Sequence, residues 1–420
     1  MTFAEKILAI KTGLKKVRAG DIVEVEPDYI MSHDNTASII EIFNQIGKRD
    51  VFNPDRLVII LDHCVPAANE EYARNHKDIR EFVKIKKVKN FYDINNGICH
   101  QVFCEKGFAK PGFLILGADS HTTTYGAFGC FSTGIGRSET AVIYTSGKMW
   151  LKVPSSVKII IEGSFKYGIS AKDLILKIIG DIGSDGALYK SIEFFGNTIK
   201  NMSMESRMVL TNMSAEAGAK NAYILPDNTT FDWLEKRGIK DYKPVYPDND
   251  AVYETILNYN VDELEPLVAC PDSVDNVKKI SEVEGVKIDQ IVIGTCTNGR
   301  LEDFETAAYI LKNKKIADSV RLLFFPASRE IYLESLKKGI IETLVESGGI
   351  IMNPGCGACL GAHEGVLTDG EVCLSTSNRN FKGRMGAGDS KIYLCSPATA
   401  AVSALTGEIT DFRTYFLKKK

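Results

Sequence analysis

The sequence predicts an α/β protein with largely parallel sheets, arranged as three domains. Three observations carry this. Short apolar runs of strand length alternate with amphipathic stretches of helical period, the pattern of units that lay strands side by side in parallel. Several runs end in polar, glycine-bearing loops, where open α/β sheets place their ligands. The chain has 420 residues, 44% hydrophobic and 25% charged, an ordinary globular composition long enough for several cores.

The elements follow in chain order. Phe3, Ile7, Leu8, Ile10 and Leu14 stand among lysines, but Glu5 interrupts them and acidic Asp21, Glu24 and Glu26 follow without a cleavage-like site. An ordinary first helix is expected there, not a targeting peptide. Residues 57–61, 113–116, 157–161, 290–293 and 349–352 read as buried strands, and 88–92 as a further strand. Residues 170–182, 204–219 and 303–311 have helical periodicity. Lys152-Val153-Pro154-Ser155-Ser156 separates a helix from a new strand, and polar residues 271–285 mark a second join. The expected domains are 1–154, 155–285 and 286–420.

Charge and cysteine usage narrow the class. A net charge of −3 gives no electrostatic reason to expect nucleic acid. No apolar run approaches the roughly 18 residues of a membrane span, and Lys418, Lys419 and Lys420 read as a solvated tail. Ten cysteines are too sparse for a disulfide framework in a chain this long, so a reducing cytoplasm is expected. Cys64, Cys130, Cys373 and Cys395 sit singly in apolar surroundings, as small buried hydrophobes do.

Two loops break that pattern. Strand 290–293 runs into Gly294-Thr295-Cys296-Thr297-Asn298-Gly299-Arg300, and strand 349–352 into Asn353-Pro354-Gly355-Cys356-Gly357-Ala358-Cys359-Leu360-Gly361. Glycines beside the cysteines let the backbone bend closely around a bulky inorganic group. An iron–sulfur cluster, a structural zinc site including His363, and a redox pair all fit these cysteines. Three thiolates on a cluster would leave one iron open to act as a Lewis acid.

Polar residues gather in similar loops. Asp62-His63 follows strand 57–61, Asp119-Ser120-His121 follows strand 113–116, and Gly97-Ile98-Cys99-His100 follows strand 88–92. Of six histidines, His33, His63, His100 and His121 lie in such loops or near a carboxylate, which fixes an imidazole's tautomer and raises its pKa. Asn212 and Glu216 share one helical face, which taken alone reads as solvated. Asn378-Arg379-Asn380-Phe381-Lys382-Gly383-Arg384 offers two guanidiniums suited to carboxylates, with a plain surface role as the alternative. Gly129-x4-Gly134 is no phosphate loop, because Ile135 replaces the lysine.

Together these segments resemble the aconitase superfamily. The match comprises Asp119-Ser120-His121-Thr122, Gly294-x-Cys296-Thr297-Asn298, Cys356-x-x-Cys359-x-Gly361 and the 378–384 segment. His33-Asp34-x-Thr36, Asp62-His63, Gly97-Ile98-x-His100-Gln101 and Asn212-Met213-x-Ala215-Glu216 extend it in order over most of the chain. The resemblance implies three aconitase-type α/β domains around one [4Fe-4S] cluster per subunit, held by Cys296, Cys356 and Cys359. It implies hydro-lyase chemistry on a hydroxy-polycarboxylate, with Asp62, His63, His100, Asp119, His121 and Glu216 catalytic. Ser38, Ser120, Asn212, Asn378, Arg379 and Arg384 would bind substrate. Ser38 stands where citrate-using members carry glutamine, and Thr297-Asn298-Gly299-Arg300 follows the isopropylmalate isomerase and homoaconitase version. Ala37-Ser38 departs from typical isopropylmalate isomerases, which keeps dimethylmalate-type dehydratases open. Too little chain follows Arg384 for the family's swivelling domain, so a large subunit of isopropylmalate dehydratase type with a separate small subunit is expected. From other classes, a cluster-sensing RNA-binding regulator and a zinc-binding structural protein remain as alternatives.

Overall fold

The computed structural model describes residues 1–417; the lysine run at 418–420 lies outside the described residues. The expected first helix is present at Phe3–Thr12. Thr2 and Glu5 form a reciprocal capping box at its start, and Gly13 closes it in the left-handed conformation, satisfying end groups a helix leaves unpaired.

Five parallel strands make the first sheet, in the order Asn90–Tyr92, Leu57–Ile60, Tyr29–Ser32, Leu114–Gly117, Phe131–Gly134. Alternation along one strand splits its two cores. Leu57, Ile59 and Leu61 join the cluster of Phe3, Ile7 and Phe43, whereas Val58 and Ile60 join that of Phe103, Tyr125 and Phe128. A sheet covered on both faces explains why this run is continuously apolar.

The second sheet is also parallel, in the order Asn221–Ile224, Ser191–Phe195, Ser156–Glu162, Thr255–Asn260. Helix Ala171–Ile182 packs near it, its start fixed by a capping box between Ser170 and Asp173. The third sheet has seven strands, in the order Val277–Lys279, Leu267–Ala269, Lys391–Leu394, Val372–Ser375, Gln290–Gly294, Arg321–Phe325, Ile350–Ile351. Its last five strands are parallel and the first two join antiparallel. Segment 155–285 therefore sends its final two strands into the third sheet, and one continuous apolar core runs from Val157 to Phe412 through both sheets.

Two local expectations need correction. Residues 349–352 do not form a buried strand. Ile350–Ile351 is an edge strand with Ile350 half exposed, because an apolar run carries no information about its place in a sheet. The helix over 204–219 is α-helical only at Met204–Met213, then tightens to a 3₁₀ turn at Ser214–Ala217.

Candidate active site

The carboxyl ends of parallel strands from the first and third sheets face one cavity of about 410 Å³. From the first sheet, the segments after Tyr29–Ser32, Leu57–Ile60, Asn90–Tyr92, Leu114–Gly117 and Phe131–Gly134 bring His33, Asp62 and His63, His100, Asp119 to His121, and Arg137. The third sheet brings Cys296, Cys356, Cys359, Asn378, Arg379 and Arg384. The loops are stitched across the gap: Cys356 N–H donates to the Asp62 carbonyl (2.9 Å) and Ile98 N–H to the Ala327 carbonyl (2.9 Å).

Cys296 lies in the short helix Thr295–Asn298, directly after strand Gln290–Gly294. Asn212 and Asn378 each donate Nδ2–H to its sulfur at 3.3 Å. Arg300 is buried below, donating to the Cys296 and Thr297 carbonyls (2.7 Å each) and to Gln101 Oε1 (3.0 Å). It braces the cysteine loop and does not line the cavity. Cys359 faces the guanidinium of Arg384 at 3.6 Å. The thiol of Cys356 and then this guanidinium drive Cys359 toward thiolate, while burial pushes Cys296 up to about 12.

The donor set fits an iron–sulfur group better than zinc. Among the described residues the three sulfurs are not all within 4.8 Å of one another. Thiolates sharing one tetrahedral zinc at 2.3 Å would stand about 3.8 Å apart. Arg384 Nε is buried without a hydrogen-bond partner while its Nη2 faces the Cys359 sulfur, a spare donor on a cation suited to an anionic group. His363 lies beside Glu364 and does not line the cavity, which removes it as a fourth ligand.

The imidazoles are set by carboxylates. Asp62 is fully buried, accepts from His63 Nδ1 (2.6 Å) and from Cys99 N–H (2.7 Å), and is held by Asp34, which accepts from the backbone N–H groups of Asp62 and His63 (2.8 Å each). Burial opposes a charge on His63, but Asp62, with Asp34 and Asp119 behind it, raises its pKa to about 10. His33 stacks on His63 at 3.8 Å and is driven down to about 4 by burial and that neighbouring charge. One ring of the stack is therefore charged and the other neutral at pH 7.

Asp119 pairs with His100 Nε2 (2.8 Å) and accepts the His121 backbone N–H (2.7 Å). Against burial, these histidines hold it well below the carboxylate range. The His121 ring lies between two acids, with Nδ1 3.5 Å from Asp119 and Nε2 2.7 Å from Glu216, and Glu216 also accepts from Arg379 Nε (2.8 Å). Arg379 reaches Ser120 Oγ as well (2.8 Å). Lys172, fully buried, donates to the carbonyls of Thr376 and Ser377 (2.8 and 2.5 Å) and so anchors the segment carrying Asn378 and Arg379.

Fourteen of the fifteen residues singled out from the sequence meet here, as cavity wall or directly behind it. Ser38 does not. It is half-buried in helix Thr36–Ile46, away from the lining. Asn212 and Glu216 are not a solvated face, because Asn212 is buried against Thr124 and Cys296 and Glu216 is held between His121 and Arg379. Sequence reasoning gave no role to Asp34, Asn35, His76 or Arg137. His76 Nε2 holds Asp34 at 2.8 Å from the middle of helix Glu70–Lys86, where nothing but its burial distinguishes it from charged neighbours. The segment 29–32 is too short to have flagged His33-Asp34-Asn35 as a strand end.

The sequence profile described as Aconitase family (aconitate hydratase) matches residues 5–284 and 276–407. Among curated relatives, "3-isopropylmalate dehydratase large subunit 1" of Methanopyrus kandleri is 49% identical, covering 99% of both chains. "Probable methanogen homoaconitase large subunit" of Methanosarcina mazei is 52% identical over 92% of this chain and 98% of its own. "3-isopropylmalate dehydratase large subunit" of Halothermothrix orenii is 47% identical over 97% and 98%.

Proposed function

Because this chain belongs to the aconitase family, we propose that it is the large subunit of a 3-isopropylmalate dehydratase. In this reading it dehydrates 2-isopropylmalate and rehydrates it to 3-isopropylmalate, a step of leucine biosynthesis, together with a separate small subunit. It carries one [4Fe-4S] cluster on Cys296, Cys356 and Cys359. The observation that carries the reading is that these three sulfurs open onto the same cavity as two carboxylate-held imidazoles and the guanidiniums of Arg379 and Arg384.

When bound, the cluster supplies an iron with an open position, a Lewis acid toward the departing hydroxyl. The chain's residues do the rest of what this half provides. His63, kept protonated by Asp62, holds a proton for the leaving oxygen, and His100, steered by Asp119, stands ready to move one as hydroxyl leaves and returns. Ser120 and Arg379 orient a carboxylate, with Arg379 itself fixed by Glu216, and Arg384 supports a second carboxylate beside Cys359. Asn212 and Asn378 donate to cysteine sulfur, which tunes and orients the ligand. The proton on carbon is left to the small subunit, which the "large subunit" names of the relatives imply.

The test is anaerobic reconstitution of the chain with and without its partner, assayed on 2-isopropylmalate, homocitrate and citrate. Isopropylmalate should be preferred. The lone chain should be slower by about 10²–10⁴, the usual effect of losing one positioned proton-transfer group. Robust turnover by the lone chain would refute the two-subunit reading. A preference for homocitrate would establish the second reading, a homoaconitase large subunit, which the 52% identical relative favours.

A further inference from the structure

Asp119 is engaged through one oxygen only. Its Oδ1 pairs with His100 Nε2 (2.8 Å) and accepts the His121 backbone N–H (2.7 Å). Among the described residues Oδ2 accepts no hydrogen bond and faces His33 Nε2 and His63 Nε2, each 3.9 Å away. The two rings stack at 3.8 Å with 16° between their planes, so their Nε2 atoms stand side by side before that oxygen. All three residues line the cavity that the cysteines share, and His33 is buried in its wall.

The neighbours place the protons. His63 is charged and gives Nδ1–H to Asp62 (2.6 Å), so its Nε2 carries the second N–H. His33 is neutral and has one proton to place. A lone pair on Nε2 would face the ionised Asp119, whereas Nδ1 has the Asn35 N–H to accept (3.5 Å); the proton therefore sits on Nε2. The ring is carried on a fixed turn, since Thr36 N–H and Oγ1 donate to the His33 carbonyl (2.8 and 2.6 Å). Asn35 Nδ2 donates to the Ala118 carbonyl (2.7 Å), which ties this turn to the strand end bearing Asp119. A separation of 3.9 Å is too long for a direct hydrogen bond but within the span of two that meet on one oxygen.

Resting on the proposed function above, we propose that His33 is a further catalytic residue, completing with His63 and Asp119 a three-point cradle for the departing hydroxyl oxygen. As the carbon–oxygen bond breaks, its electron pair goes to the oxygen, and the proton on the neighbouring carbon goes to the small subunit's base. The hydroxide so formed has three lone pairs and one proton. Two pairs meet the N–H groups of His33 and His63, the proton meets Asp119 Oδ2, and one pair stays free for a Lewis acid. Donors aimed where charge develops strengthen their hold as the bond breaks. A substrate carboxylate has no proton for Asp119 and is repelled by it, so the cradle selects the hydroxyl.

The experiment uses the reconstituted, cluster-loaded complex, with His33→Phe to keep the stack on His63 and remove the N–H. On 2-isopropylmalate its kcat should fall about 10- to 100-fold, the range for a lost hydrogen bond to a charged group. KM and the dissociation constant of isopropylsuccinate, which lacks the hydroxyl, should stay within a factor of about three, because the lost contact forms in the transition state. Iron content should match the wild type. His33→Gln, which keeps a donor, should lose less kcat than His33→Phe. An unchanged kcat, or isopropylsuccinate binding weakened in step with kcat, would overturn the inference and leave His33 a packing residue. Should His33→Phe lose iron, the smaller His33→Leu carries the same comparison. A wild type that turns over homocitrate and not isopropylmalate overturns the proposed function instead, and the same variants assayed on homocitrate and its deoxy analogue then decide the cradle.

Discussion

Cys356 and Cys373 are both buried thiols, and their surroundings separate them. Cys356 opens onto the cavity after the edge strand, whereas Cys373 lies within strand Val372–Ser375, sealed in the core. Cys356→Ser should lose iron and the visible absorbance of the anaerobically purified chain. Cys373→Ser should keep both and lose about 1–3 kcal/mol of stability, the usual effect of burying a hydroxyl in an apolar site; the reverse pattern would remove Cys356 from the ligand set. Arg379 makes a different kind of claim. Its fork spans Glu216 and Ser120 at once, which a lysine ammonium cannot copy. Arg379→Lys should lower kcat/KM about 10- to 100-fold with little change in unfolding midpoint, and an unchanged kcat/KM would place this arginine outside the chemistry.

At the scale of elements, the cysteine loops depend on backbone shapes as much as on sulfur. Gly294 has φ +150° and Gly357 φ +54°, and a Cβ at Gly357 would fall on the ring of Phe325. Phe325 ends the strand beside Gln290–Gly294, so the clash presses on both cysteine loops together. Gly357→Ala should weaken iron retention and cost about 1–3 kcal/mol. Gly370→Ala is the control: its φ is +75°, but nothing lies within 4 Å, so only the left-handed penalty of about 1–2 kcal/mol remains. Equal iron loss in both variants would show that general destabilisation is at work. The glycines beside the cysteines were legible as a need for tight bends. The facing phenylalanine was not, since it arrives from residue 325 across a sheet.

At the scale of the whole molecule, the first domain is tied to the second sheet through a buried acid. Glu193 accepts from Phe3 N–H (2.9 Å), Ser156 Oγ (3.0 Å) and Tyr253 OH (3.0 Å), and Phe3 stacks on Tyr223 at 3.6 Å. Burial outweighs these donors and raises the Glu193 pKa from 4.5 to about 7. The folded state thus takes up a proton that the unfolded chain releases above 4.5. The resulting stabilisation is fully present below 4.5 and is lost as pH rises through about 7, with a size on the order of 1–3 kcal/mol. Glu105, likewise raised to about 7 by burial, acts in the same direction, and His33, lowered to about 4, acts against it. Replacement by glutamine keeps the shape and removes the titration. The difference in melting temperature between pH 5.5 and pH 8 should shrink in Glu193→Gln; an unchanged difference would show that this carboxyl does not titrate in that window.

The sequence by itself determined the fold class, because strand and helix periods are local properties and the first-sheet runs are apolar on both faces. It also determined which residue types gather, since Asp62-His63, Asp119-x-His121 and the cysteine spacings lie within single loops. Only the tertiary structure decided the pairings. The Asp119 carboxylate holds the His100 ring and the His121 backbone N–H, while His121 Nε2 reaches on to Glu216. His76 reaches Asp34 from helix Glu70–Lys86, and Ser38 is not among the residues that line the cavity. Each of these depends on which strand ends lie side by side and how far apart, and the period of a segment carries no record of its neighbours in space.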